Sequence, residues 1–299
     1  NLGRIFIKIS TEMPLGCCNK KFLGAQCLRL LVIFLAEILG TSILVFLGCM
    51  SLLVWNENVG INHWVPTVVF AFAVATIVQM IGHISSAHVN PSVTLCFYIL
   101  GHINLIQVAV YFFAEIIGGL LGFGLLKLIT PTEIYDLSMN YTGGKVCINY
   151  PHASVTNMEA FGAEFLATSI LILVVCSVND PRNKDKLDSA ALKFGTTILL
   201  LVLAEGPYTG TSINPARSFA PAVWIGYWDK HWIFWVAPMS AGLLASIFYV
   251  KVFGLKQTPS VNYPEIFEPT VVDPKSLRRI NQRRTAEESN LKRTADESL

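Results

Sequence analysis

The most constraining feature of this sequence is an uncharged stretch from residue 58 to residue 114, which contains no Asp, Glu, Lys or Arg. Soluble domains contain about 25% charged residues. This chain of 299 residues has only 14%, together with 53% hydrophobic residues. Such a stretch cannot cover a surface that faces water, whereas a lipid bilayer accepts it. The sequence therefore predicts an integral membrane protein that crosses the bilayer several times.

Six apolar segments are long enough to cross a bilayer, for which a helix needs about 20 residues. They lie at residues 27–54, 64–84, 105–128, 160–178, 189–204 and 231–253. The predicted fold class is an all-α membrane protein with its membrane domain at residues 27–253. Residues 1–26 form a separate N-terminal segment, and residues 254–299 form a C-terminal tail. Because the number of spans is even, both termini lie on the same side of the membrane.

The distribution of basic residues predicts which side that is. Lys and Arg are concentrated in the N-terminal segment, in the tail and in the loop after the fourth span, at Arg182, Lys184 and Lys186. On the other side, residues 56–63, 130–159 and 205–227 carry only Lys145 and Arg217. Cytoplasmic connections are enriched in Lys and Arg. We therefore expect cytoplasmic termini, with the plasma membrane as the expected location.

Two segments outside the spans carry candidate modification sites. Asn140 begins an Asn-Tyr-Thr sequon in the predicted outer loop and is a candidate glycosylation site. The tail is charged, contains Pro and has few aromatics, so it is predicted to be disordered. Its duplicated Arg-Thr-Ala segments make Thr285 and Thr294 candidate phosphorylation sites. The alternative for these segments is simply a solvated, charged tail.

Cysteine spacing and net charge exclude several functions. The seven Cys have no spacing typical of a metal site or a disulfide framework. Most fall in apolar spans, where they are expected to act as small buried side chains. No metal and no cofactor are therefore expected, and a net charge of +2 does not indicate nucleic-acid binding.

An internal repeat organises the membrane domain into residues 27–128 and 160–253. Residues 36–44 match 163–171, residues 89–92 match 213–216, and residues 119–121 match 242–244. Each half contains three spans, an odd number, so the second half must enter the membrane from the opposite side. An inverted repeat of this kind forms a site near the middle of the bilayer, between its halves.

The repeat includes two Asn-Pro motifs, Asn90-Pro91-Ser92 and Asn214-Pro215-Ala216. Asn is favoured as a helix N-cap and Pro at the first helical position, so each motif predicts a helix start. The apolar stretches that follow are too short to span. Non-helical backbone inside a membrane is tolerated where it lines a cavity. We therefore predict non-helical segments at residues 83–89 and 206–213, followed by re-entrant half-helices that meet at Asn90 and Asn214.

Residues 82–92 (GHISSAHVNPS) and 210–218 (GTSINPARS) carry a family resemblance. The chain resembles the aquaporins, or major intrinsic proteins, over residues 27–253, although Ser92 replaces the usual Ala of the first motif. The resemblance implies six transmembrane helices with two re-entrant half-helices. It also implies a homotetramer with one pore per subunit for water and small neutral solutes. An enzyme is not expected, because the sequence shows no nucleophile–base or metal constellation.

Four polar side chains inside the membrane are expected to support the re-entrant loops. Glu37 and Glu164 occupy equivalent positions of the repeat within apolar spans. Buried ionisable groups are seldom turned toward lipid, so both are expected to hydrogen-bond loop backbone. The alternative is that they lie at helix ends in water. His83 and His88 are expected to anchor the loops. For Glu115 the repeat does not indicate a supporting role, because Pro238 occupies its equivalent position.

The resemblance also implies a selectivity filter, which consists of Phe70, Val202, Thr211 and Arg217. Water-selective members usually have His at the position of Val202. Its loss makes the filter wider and more apolar, which favours water together with glycerol or urea. Ser218, Ala222 and Phe234-Trp235 are instead typical of water channels, so strict water selectivity remains the alternative. This mixture resembles the insect glycerol-conducting branch of the family.

Two other classes of membrane protein fit the sequence less well. A secondary transporter also has inverted repeats, but it is expected to carry intramembrane charges that change partners. An ion channel is expected to have rings of acidic residues or carbonyls, whereas the predicted mouth has Arg217.

Overall fold

A computed structural model of the chain describes residues 20–254, with side chains from residue 24 onward. These residues belong to one compact unit. The predicted C-terminal tail, with Thr285 and Thr294, lies almost entirely outside the described residues, as does most of the N-terminal segment.

Residues 20–254 are helical, with connecting loops and no strand. The α-helices are α1 (Lys20–Met50), α2 (Trp64–Ser85), α3 (Pro91–Ile99), α4 (Leu105–Ile129), α5 (Thr132–Tyr141), α6 (Asn157–Val178), α7 (Ala190–Thr209), α8 (Pro215–Ile225) and α9 (Ile233–Val252). A 3₁₀ segment, Pro181–Ser189, connects α6 to α7.

The predicted fold class is confirmed. Six helices are long and apolar enough to span a membrane, namely α1, α2, α4, α6, α7 and α9. The helices α3 and α8 are short, with 9 and 11 residues, and each begins at an Asn-Pro motif. Large apolar side chains on the spanning helices are exposed, as expected for a surface that faces lipid. Examples are Phe72, Leu105, Leu128, Leu166 and Leu200.

Several predicted helix boundaries were wrong. Helix α1 begins at Lys20 instead of residue 27, and the segments predicted to be non-helical, 83–89 and 206–213, are helical up to Ser85 and Thr209. The first span was expected to reach residue 54, but α1 ends at Met50. The fifth was expected to end at residue 204, whereas α7 continues through Pro207 to Thr209. Proline removes one backbone donor but does not always end a helix. The helix is instead capped by Gly210, whose φ of +82° is the left-handed conformation that glycine adopts readily.

Equivalent helices of the two halves pack in equivalent ways. The first helix of each half contacts the last, so that α1 packs on α4 and α6 packs on α9. The two halves meet where α2 packs against α7. Each half-helix also contacts the last helix of the other half: α3 lies on α9, and α8 lies on α4. This exchange brings the two Asn-Pro motifs together at the centre.

Two repeat-related glycines permit this exchange. A Cβ atom added to Gly242 on α9 would lie 2.8 Å from the carbonyl oxygen of Ser92 at the start of α3. One added to Gly119 on α4 would lie 3.0 Å from the carbonyl oxygen of Ala216 at the start of α8. The repeat in the sequence therefore reflects close backbone contact at both half-helix starts.

The interpretation of the cysteines needs a correction, because Cys49 and Cys147 form a disulfide. Cys49 lies at the end of α1, and Cys147 lies 98 positions later in the loop between the halves. Both side chains are buried among Val45, Leu53 and Phe123. Spacing along the chain gave no indication of the pair, because only the folded loop brings the two Cα atoms to 5.2 Å.

Candidate pore and selectivity filter

One cavity of about 410 Å³ is lined by residues from both halves of the repeat. It includes both motif asparagines and all four predicted filter residues. Helix α2 contributes an apolar stripe at the spacing of successive helical turns. The other half contributes a corresponding stripe from α7. The stripe residues are Pro66, Phe70, Val74, Val78 and Gly82 on α2, and Ala190, Phe194, Ile198, Val202 and Gly206 on α7.

The two motif asparagines join the loops symmetrically. Asn90 donates its side-chain N–H to the carbonyl of Ile213 at 2.8 Å, and Asn214 donates to the carbonyl of Val89 at 2.7 Å. Each side-chain oxygen also caps its own half-helix, by accepting from the backbone N–H of Ser92 or Ala216. Because an amide nitrogen carries two hydrogens, each Asn retains one N–H for the cavity that it lines.

The half-helices begin at these asparagines, with Pro91 and Pro215 at their first helical positions. The N-terminus of a helix carries a partial positive charge. Helices α3 and α8 therefore direct two positive ends and two N–H donors toward the same part of the cavity. This arrangement favours a neutral oxygen that accepts hydrogen bonds, and it disfavours cations.

The loops before the two motifs have the same unusual backbone conformation. Ala87 and Val89 have φ values of +50° and +44°, and Thr211 and Ile213 have values of +49° and +45°. Left-handed backbone is unfavourable for residues with a Cβ atom, and most of all for β-branched residues. Such strain persists only where the surroundings hold the backbone in place.

The carboxylates of Glu37 and Glu164 hold these loops with equivalent hydrogen bonds. Glu37 accepts from the backbone N–H groups of His88 and Val89 at 3.0 and 2.7 Å. Glu164 accepts from those of Ser212 and Ile213 at 2.7 and 2.8 Å. Each also accepts from a hydroxyl at the end of the preceding helix, Ser85 at 2.5 Å and Thr209 at 2.6 Å. The carboxylates therefore satisfy the backbone donors of the strained segments.

The two histidines differ in their surroundings. The ring of His88 is buried, stacks on Tyr111 with centroids 4.1 Å apart, and contacts the Thr94 hydroxyl through Nδ1 at 2.9 Å. His83, by contrast, is exposed in the last turn of α2, and its side chain makes no hydrogen bond to residues 24–254. The prediction that His83 supports a loop was therefore wrong, because its side chain points away from the protein interior.

Two further carboxyl groups are buried near the loops. Glu115 on α4 accepts from the Thr94 hydroxyl at 2.6 Å, which ties α4 to the half-helix α3. Glu205 on α7 is contacted by the Thr209 hydroxyl, which also reaches Glu164. The sequence analysis missed Glu205. The one signal for Glu205 in the sequence was its position, as an acidic residue directly after the predicted fifth span.

The four predicted filter residues lie together in one part of the cavity, and all four are buried. The guanidinium of Arg217 lies over the ring of Phe70, 5.1 Å from its centroid. Val202 adds an apolar side chain from α7. Thr211 also lines the cavity, but its hydroxyl oxygen is buried beneath the cavity surface, near Glu205. The filter thus has apolar walls and one cation.

The orientation of Arg217 depends on residues that the sequence analysis missed. Its Nη1 donates to the carbonyl of Cys147 at 3.0 Å and to the side-chain oxygen of Asn149. Asn149 also accepts from the Ser218 hydroxyl at 2.7 Å and donates to the carbonyl of Gly210 at 2.9 Å. Asn149 belongs to the loop between the halves, which has no equivalent in the repeat and no motif that would have identified it.

Asn140, the candidate glycosylation site, is exposed near the end of α5. Among residues 24–254, no group of His, Cys, Asp and Glu side chains could hold a metal ion.

The fold and the cavity define a class of protein, an inverted-repeat membrane channel with two half-helices at its centre. Comparison with known proteins agrees with that class. The family profile described as MIP, major intrinsic protein, matches residues 25–249. Aquaporin-8 of Mus musculus is 31% identical over 254 residues, which cover 84% of this chain and 92% of that protein. Aquaporin-2 of Rattus norvegicus is 35% identical over 215 residues, which cover 72% of this chain and 76% of that protein.

The X-ray structure of the aquaglyceroporin from Plasmodium falciparum superposes with a TM-score of 0.65, at 23% identity. The superposed region covers 75% of this chain and 97% of the aquaglyceroporin chain, and the match supports the fold. The chain belongs to the major intrinsic protein family, with the aquaporins. It is a passive transmembrane channel for water and not an enzyme.

Proposed function

We propose that this channel conducts small uncharged solutes such as glycerol or urea in addition to water, and that it excludes protons and ions. The observation that carries the proposal is Val202, an apolar and β-branched side chain that lines the cavity within the filter. At this level the polar side-chain contacts come from Arg217.

A polyol has both polar and apolar surfaces, and the filter offers matching surfaces. Arg217 supplies several N–H donors in a fixed plane, which suit solute hydroxyl or carbonyl oxygens. The C–H groups of the solute would lie against Phe70 and Val202. A His in place of Val202 would narrow the filter and replace apolar contact with a polar group that suits water.

Ion exclusion is supported by charge. Arg217 is buried and has no carboxylate within ion-pair distance among residues 24–254, so its charge is not neutralised by direct contact. At the centre, Asn90 and Asn214 lie at the positive ends of two half-helices. A cation would meet positive potential at both points, and a water that accepts from both asparagines interrupts a proton wire.

We infer that both termini are cytoplasmic, that the channel lies in the plasma membrane and that it forms a homotetramer. Two features support the orientation. Basic residues are concentrated on the side of the termini. The Cys49–Cys147 disulfide lies on the other side, at the end of α1, and disulfides persist in oxidising compartments. Asn140 is exposed in the same outer loop, so we propose it as a glycosylation site.

The test is stopped-flow swelling of proteoliposomes under gradients of water, glycerol and urea, with wild type and Val202→His measured side by side. Wild type should conduct water and at least one of the two solutes. Val202→His should keep water flux and reduce solute flux on the order of tenfold, which corresponds to about 1.4 kcal/mol of added barrier. Water flux without any solute flux in wild type would instead identify a strictly water-selective channel.

A further inference from the structure

We infer that the Cys49–Cys147 disulfide is a positioning element of the filter: it fixes the loop segment that orients the Arg217 guanidinium, and it thereby sets the permeability to solutes relative to water. This inference rests on the proposed function, because it concerns which solutes pass. Three observations on residues 147–149 carry it.

The first observation is where the disulfide attaches the loop. Cys49 is fully buried and Cys147 is 4% exposed, and they are surrounded by Val45, Phe123 and Leu126. The bond therefore connects the loop between the halves to the packed outer ends of α1 and α4. A loop with such an anchor has less freedom to move than a loop held only by hydrogen bonds.

The second observation is that Cys147 itself contacts the filter. Its carbonyl accepts from Arg217 Nη1 at 3.0 Å, and it lines the cavity. The backbone of Cys147 has a φ of +61°, in the left-handed region that residues with a Cβ atom rarely adopt. The surroundings must hold this conformation, and the disulfide is the covalent link at that residue. Without it, the peptide can relax and turn the carbonyl away from Arg217.

The third observation is that the same segment holds the opposite side of the filter. Asn149, two residues later, contacts Arg217 through its side-chain oxygen and the Gly210 carbonyl through its side-chain nitrogen at 2.9 Å. Gly210 directly precedes Thr211 of the filter. Within the described chain, the groups that accept from the Arg217 guanidinium belong to Cys147 and Asn149. Both are neutral and both lie on the tethered segment.

Arg217 therefore has no direct ion pair to fix its position, and its orientation depends on a short segment held by the disulfide. If the tether is removed, the guanidinium loses a fixed acceptor and can move within the cavity. The filter becomes wider on that side, so glycerol and urea should gain more than water does.

The experiment compares wild type with the double variant Cys49→Ser/Cys147→Ser in proteoliposomes, with water and glycerol permeability measured per channel protein. The matched control is Cys96→Ser/Cys176→Ser, which removes two buried free thiols whose sulfur atoms lie 3.6 Å apart. We expect the first variant to raise the glycerol-to-water ratio about tenfold, the effect of losing one hydrogen bond to a charged group. The control variant should keep the wild-type ratio.

The ratio separates positioning from mere stabilisation. If the disulfide only stabilises the fold, both permeabilities should fall together and the ratio should not change, which would overturn the inference. Free thiols at Cys49 and Cys147 in wild type, found by mass spectrometry of unreduced peptides, would also overturn it. A wild type that conducts no solute contradicts the proposed function instead, and the inference is then judged by whether the variant gains glycerol flux.

A second measurement covers the case in which the double variant does not fold. Wild-type proteoliposomes are measured before and after treatment with dithiothreitol, which reduces the disulfide to two thiols and is itself oxidised to a cyclic disulfide. Thiol labelling verifies the reduction, and oxidised glutathione restores the bond. The glycerol-to-water ratio should rise on reduction and return on reoxidation. A constant ratio despite complete reduction would overturn the inference.

Discussion

Replacement of Glu164 by Ala removes the acceptor for a whole segment of strained backbone. In wild type, Glu164 accepts from the N–H groups of Ser212 and Ile213 at 2.7 and 2.8 Å. A buried donor that loses its partner costs about 1–3 kcal/mol. Two such donors at about 2 kcal/mol each predict a loss of about 4 kcal/mol for Glu164→Ala. The Thr209 hydroxyl adds little to this figure, because it also contacts Glu205.

Glu164→Gln should have a smaller effect, because it retains one of the two acceptor oxygens. One backbone N–H then faces an amide NH₂ instead of an oxygen, so the expected loss is about 2 kcal/mol. The matched control is Glu159→Gln on the same helix, where Glu159 is exposed and closes a capping box with Thr156. Gln also suits that position of a capping box, so this variant should have the stability of wild type.

The assay is thermal unfolding of the purified channel in detergent at a fixed scan rate. A change of 1 kcal/mol shifts Tm by about 2–4 °C in a domain of this size, so Glu164→Ala should unfold about 8–16 °C lower than wild type. Glu164→Gln should lie about halfway. If Glu164→Ala unfolds at the same temperature as Glu159→Gln, the carboxylate is not needed to hold the loop.

Two further predictions concern packing and charge. Gly242→Ala should lower the free energy of unfolding by about 1–3 kcal/mol through overpacking, because its Cβ would lie 2.8 Å from the Ser92 carbonyl oxygen. The control Gly162→Ala, whose Cβ would meet open space, should keep the wild-type Tm in the same thermal unfolding assay. The side-chain contact with Arg182 lowers the pKa of Asp180 to about 2, and a carboxylate with a lowered pKa contributes stability that is lost only as the pH falls toward that value. The difference in Tm between wild type and Asp180→Asn should therefore be constant above about pH 5 and should disappear toward about pH 2. A Tm difference that disappears near neutral pH would contradict this.

The sequence predicted the six spans and the two half-helices because each follows from local physics. Long apolar segments identify spanning helices, and Asn90-Pro91 and Asn214-Pro215 combine an N-cap with a first-turn proline. The repeat then indicated that Glu37 and Glu164 occupy equivalent positions, and their hydrogen bonds to the two loops are equivalent in the structure.

What the sequence analysis missed depends on contacts between distant segments. The Cys49–Cys147 pair and Asn149 involve the loop between the halves, which has neither a repeat partner nor a motif. Glu205 and the extension of α7 were missed because the fifth span was predicted to end at residue 204, with non-helical backbone at residues 206–213. The filter residues come from three separate segments, so only the family resemblance, and not spacing or periodicity, predicted them as a group.

In the proposed channel a single path, through the cavity and past Val202, carries both water and solute. The most direct test is Val202→Trp in proteoliposomes, because a Trp at this position would fill the filter beside Phe70 and Arg217. With correct folding verified by an unchanged Tm, water flux and solute flux should be lost together. Persistence of either flux at the wild-type rate would contradict a single path, because that molecule would then cross by another route.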